Sequence, residues 1–329
     1  MTSLYRKILT NAWLITKKHY YLWPLGFFVA FLGNGGEYQM LSRQIERVNL
    51  QPETIFSLSE WFNTSIFQDW DLTIVRGFLL ALFVLFILGI IYLIIWLIIS
   101  SMAGLIQGCA SADKKERKTF FGLLTTGRKN FKPVFLLFLI AKVIVYGILV
   151  LILTPIMLAT FAQQNESLNV FIIFLTFLIF VPLSIIVSFV TRFASAYVVL
   201  EGQKMWDAFK NGWRLFSANW LISLEMAAIL LFINFCISLV VLAAFFLIFS
   251  PFFFVGISSS FASPGIFWTI IMIPVIIIIL LFIFIGSLLA TFQVNSWTLL
   301  YLRLTEGRKA YSKLVRWAAV LPSKLKPRQ

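Results

Sequence analysis

The chain reads as an all-α, polytopic membrane protein, and its 329 residues say so in three ways. Six apolar stretches approach bilayer length, the links between them carry positive charge almost entirely on one side, and the composition leaves little to face water. With 60% apolar and 12% charged residues, a soluble globule of this size could not cover itself with polar groups. The mean hydropathy of +0.94 agrees. Hydrocarbon offers no partner for free backbone amides and the runs lack barrel-type alternation, so the spans are expected to be helices.

A span needs about 20 apolar residues to cross about 30 Å of hydrocarbon. The predicted spans are 20–35, 77–101, 133–160, 170–193, 220–249 and 266–289, in a single integral membrane domain covering 1–329. The first is short, contains Pro24 and runs into Gly33-Asn34-Gly35-Gly36. Its leader is long and no Ala-x-Ala site follows, so it reads as an uncleaved anchor rather than a signal peptide. From Met226 to Leu302 the chain has no charge.

Charge sets the expected orientation. With the N-terminus inside, the inner pieces hold 23 Lys and Arg against 5 Asp and Glu, and the outer pieces 3 against 7. That is a positive-inside pattern, with both termini cytoplasmic and the chain multi-pass in the cell (inner or plasma) membrane. Were the first stretch only re-entrant, the basic N-terminal segment and the basic 114–132 loop would face opposite sides. The outer segment 36–76 carries Ser57 and Glu60 at capping-box spacing and is expected to form short surface helices. A basic tail, 303–329, closes the chain. Cys109 and Cys236 read as two buried small residues.

The connectors echo one another. Leu9-Thr10-Asn11-Ala12-Trp13 precedes the first span, Leu124-Thr125-Thr126-Gly127-Arg128 the third, and Phe209-Lys210-Asn211-Gly212-Trp213 the fifth. The unit is a cytoplasmic amphipathic helix plus a helical hairpin, used three times in parallel; common basic amphipathic character would give the same echo without duplication. A second echo pairs the segment from Tyr197 to Lys204 with that from Tyr301 to Lys309. Glu201-Gly202 and Glu306-Gly307 read as helix ends, with Gly in a left-handed cap.

In the third connector Trp206, Phe209, Trp213, Phe216 and Trp220 recur every three or four residues, with Lys204, Lys210 and Arg214 on other faces. Such a helix suits the headgroup plane, its rings at the interface and its cations toward anionic lipid. Arg308, Lys309 and Arg316 of the tail extend the same surface. The expected partners are therefore anionic headgroups, and other membrane proteins; the positive-inside bias accounts for the charge without any nucleic acid.

The run Tyr197-Val198-Val199-Leu200-Glu201-Gly202, then Trp206-Asp207-Ala208-Phe209-Lys210-Asn211-Gly212-Trp213-Arg214-Leu215-Phe216, resembles a linker of one bacterial group. That group includes the membrane domain found beside some glycerophosphodiester phosphodiesterases and six-span proteins of the YciC-like kind. Asn211-Gly212 departs from it, since such linkers more often carry a basic residue and Ser there. The resemblance implies a polytopic domain without demonstrated catalysis. The hydrolytic domain behind the name is soluble and metal-dependent, with several His; this chain has one.

No Gly-x-Ser-x-Gly, Walker loop, His-Glu-x-x-His or paired-Cys motif is present, so neither an enzyme nor a cofactor is expected. His19 lies among Lys17, Lys18, Tyr20 and Tyr21 and reads as an interfacial anchor. Lys142 and Glu225 fall inside predicted spans at depths that differ by only about 6 Å at 1.5 Å per residue. Each charge at mid-membrane costs at least about 2.5–3.5 kcal/mol unless it is partnered, so the two are expected to pair. Arg192, near a span's inner end, is expected to snorkel to the headgroups. Pro155, Pro182, Pro251 and Pro274 are candidate kinks. Two readings follow. One is a non-enzymatic envelope scaffold or accessory subunit whose basic helices engage anionic lipid; the other is a small permease with a polar site at Lys142 and Glu225.

Overall fold

Long apolar runs become long helices because a helix satisfies its own backbone, and here nearly nothing else does. The structure, a computed structural model, describes residues 4–32, 74–116, 118–161, 166–260 and 264–306. The order is α1 (Leu4–Lys18), a 3-10 turn (Tyr20–Leu22), α2 (Trp23–Ala30), α3 (Ile74–Asp113), α4 (Phe120–Lys129), α5 (Phe131–Phe161), α6 (Glu166–Glu201), α7 (Met205–Ala218), α8 (Trp220–Ser260) and α9 (Pro264–Thr305). No strand occurs among the described residues.

Among the described residues five helices, α3, α5, α6, α8 and α9, are long and apolar enough to cross a membrane. In α3 and in α8 only 11% of the most apolar stretch is buried within the chain, a surface that hydrocarbon accommodates and water does not. On α3, Leu85, Phe86 and Tyr92 all stand exposed.

The first predicted span takes a different form. Its described part is a short apolar helical segment, Tyr20–Ala30, about 16 Å long at 1.5 Å per residue and so about half a bilayer. Pro24 sits in the first turn of α2, directly after the 3-10 turn. Leu22, Leu25, Gly26 and Val29 are buried against the protein. The remainder of that span and the outer segment to residue 73 lie outside the described residues.

The other boundaries also shift. The spans expected to stop at 101, 193 and 289 belong to helices that continue to Asp113, Glu201 and Thr305. Hydropathy falls at those points, but small residues such as Ser100, Ser101, Ala103, Gly104 and Gly108 take over, and they extend a helix while letting neighbours approach. α6, α8 and α9 run through Pro182, Pro251 and Pro274.

The chain divides into two compact units: 1–31, 99–134 and 192–329 form the first, 32–98 and 135–191 the second. In the first, α9 is the hub, with α8, α2 and α1 against it. Approach is closest at glycines. A Cβ at Gly26 would strike Ser287 and Thr291 of α9, one at Gly108 would press on Leu22 and Leu123, and one at Gly127 of α4 would run into the backbone of Ser100. Lipid tails are as apolar as leucine, so helices in a bilayer associate through such close packing and not through hydrophobic exclusion. The second unit has its own core of Val145, Leu149 and Phe180, flanked by Ile148 and Val187.

Candidate functional site

The three connectors, α1, α4 and α7, each bury one stripe of small or apolar residues. The positions aligned in the sequence as Ala12, Gly127 and Gly212 are all buried, and so are Ile8, Leu123 and Ala208 one turn earlier. Thr119 caps α4, its hydroxyl oxygen accepting from the Gly122 N–H, while Lys17 and Lys18 end α1 and Arg128 and Lys129 end α4, where cations complement the helix dipole.

On α7 the expected single aromatic face divides. Ala208, Gly212 and Phe216 form the buried stripe, whereas Trp206 and Trp213, and Trp220 just beyond, are exposed at 61%, 51% and 55%. Lys210 and Arg214 are exposed as well. At about 100° per residue the tryptophans flank the buried stripe and the cations lie further round, so the surface passes from apolar to aromatic to cationic. Spacing alone put all five rings together; the small residues Ala208 and Gly212 decide which edge packs, since they let α7 come close.

α6 passes into α7 through a cap and a polar chain. Gly202 has φ +67°, the expected left-handed cap, with its N–H on the Val198 carbonyl at 3.1 Å and that of Gln203 on Tyr197 at 3.5 Å. Gly307 lies outside the described residues. Tyr301 of α9 donates to Glu201 at 2.6 Å, Gln203 to the other Glu201 oxygen at 2.8 Å, and Asn211 of α7 to Gln203 at 2.8 Å. The rings of Tyr197 and Tyr301, partners in the second sequence echo, meet edge to face at 4.9 Å.

A buried polar seam in the first unit went unseen in the sequence. Asn295 is fully buried; its side-chain amide donates to Thr16 at 3.0 Å, and its main-chain carbonyl accepts from Cys109 at 3.5 Å. Thr16 in turn donates to the Ala12 carbonyl, and Ser287 to that of Trp23. The Asn295 Oδ1 and the hydroxyls of Ser100 and Ser101 have no hydrogen-bond partner among the described residues. The signal was the density of Ser287, Thr291, Gln293, Asn295, Ser296 and Thr298 in a stretch whose lack of charge drew attention instead.

Glu225, in the second turn of α8, accepts a hydrogen bond from Tyr5 of α1, a partner that sequence reasoning did not supply. Lys142 is half-buried on α5, in the second unit. Arg192, expected to snorkel to the headgroups, has its guanidinium over the ring of Trp297, 5.2 Å from the centroid. The indole gives the cation a face to rest on. His19 meets Tyr21 edge to face at 5.4 Å. Cys109 is buried as expected, but Cys236 is exposed on α8. Arg308, Lys309 and Arg316 lie outside the described residues. Among the described residues no three His, Cys, Asp or Glu side chains gather where they could hold a metal.

Fold and site together define a class: a helical protein with, among the described residues, five helices able to cross a membrane, compatible with an integral membrane protein. No protein-family model, curated protein or solved structure matches the chain.

Proposed function

We propose that the chain is a non-enzymatic protein of the cell membrane, an envelope scaffold or accessory subunit whose basic connectors engage anionic lipid. Both termini lie in the cytoplasm, the segment from Tyr20 completes a sixth span, and the helix-plus-hairpin unit is repeated three times, in keeping with the YciC-like resemblance. The observation that carries this reading is α7, with its small stripe packed on the protein and Trp206, Trp213, Lys210 and Arg214 turned outward. Indole rings suit the interface, and a cation near an anionic surface contributes about 1 kcal/mol.

The test extracts the protein with its surrounding lipid into polymer discs and measures the anionic fraction. Lys210→Gln with Arg214→Gln should lower the enrichment about fivefold per charge removed at low salt. Equal enrichment in wild type and variant would reject the reading.

A further inference from the structure

We propose that the pocket around Arg192 and Trp297 binds the phosphate of one anionic phospholipid. The pocket lies wholly within the first unit, between α3, α6 and α9. Its floor is ordered: Trp297 is held edge to face by Phe193 at 6.1 Å, and Arg192 rests on the indole at 5.2 Å. A guanidinium lying over a ring keeps N–H groups that can donate at its edge, the charge-assisted hydrogen bond that a phosphate oxygen accepts.

The remaining wall sets the ligand's character. Met102, Ile106 and Val294 are apolar, and no lining residue is acidic, so nothing in the wall neutralises Arg192. The Thr298 hydroxyl already donates to the Val294 carbonyl at 2.8 Å, and Arg192 is the charged donor of the lining. With a volume near 20 Å³ the pocket admits about one water-sized group. One phosphate oxygen fits inside; the rest of the headgroup and the acyl chains stay outside, along the apolar helices.

Depth supports a lipid source. At 1.5 Å per residue, Arg192 lies about 14 Å from the end of α6, Trp297 about 12 Å from that of α9 and Met102 about 16 Å from that of α3. These helices are about 54–63 Å long against about 30 Å of hydrocarbon, so an even overhang leaves about 12–16 Å beyond the bilayer core. All three residues therefore sit where headgroups begin. This site deepens the anionic-lipid reading, adding one stoichiometric lipid to the diffuse attraction of α7.

Intact-mass spectrometry of the detergent-purified full chain, titrated with phosphatidylglycerol, phosphatidylcholine or inorganic phosphate, tests it. Wild type should retain one phosphatidylglycerol per chain in preference to phosphatidylcholine, whose choline cation is repelled by Arg192 with no acidic lining residue to receive it, and equal retention of the two overturns the anionic-lipid assignment. Arg192→Gln should lower retention about tenfold, the loss of a charge-assisted hydrogen bond. Met102→Trp, which fills the pocket and keeps the charge, should lower it equally, with circular dichroism confirming helix content. Lys210→Gln with Arg214→Gln should leave the single lipid in place, so failure of the surface reading and failure of the pocket are separable. Wild type retaining no anionic phospholipid overturns the proposal whatever the variants do. Undiminished retention in a folded pocket variant overturns it too, and displacement by equimolar inorganic phosphate overturns the lipid source.

Discussion

Single residues here act through backbone geometry as much as through chemistry. Gly202 is in the left-handed region at φ +67°, and an added Cβ would touch nothing within 4 Å. Gly202→Ala therefore isolates backbone strain, and the variant should lose about 1–2 kcal/mol, read as a lower melting temperature in detergent. An unchanged midpoint would mean that the α6 to α7 joint relaxes freely. This glycine was legible because a Glu-Gly pair ended a long apolar run. Asn295 was not, since its importance comes from Thr16 and Cys109, 279 and 186 residues away in sequence.

Between elements, the deciding contacts are small residues against backbone. Gly127 of α4 faces the Ser100 carbonyl of α3, whereas Gly147 of α5 faces open space. Gly127→Ala should destabilise by about 1–3 kcal/mol, because neither backbone yields without separating the helices. Gly147→Ala should be neutral or gain up to about 1 kcal/mol from helix propensity. Chemical unfolding in mixed micelles measures both, and equal effects would contradict the packing described. Helix existence was legible from hydropathy alone. Helix ends were not: hydropathy reports where lipid contact stops, while Ser100 to Ser111 and Thr291 to Thr298 go on as helix against protein. The division of α7 into three stripes was hidden likewise, because spacing cannot tell which edge of an aromatic face will pack.

At the scale of the molecule, the question is how it carries charge among apolar helices. Glu225 is met by Tyr5, and Arg192 by Trp297. Fold class was legible because composition dictates solvent, whereas these pairings depend on which helices become neighbours. The two thiols carry a last implication. Cys109 is enclosed by protein and Cys236 stands on an apolar helix face, so water-borne alkylating reagents should meet neither while the fold holds. Cys109 then serves as a native tamper seal, its modification marking the moment α3 and α9 come apart.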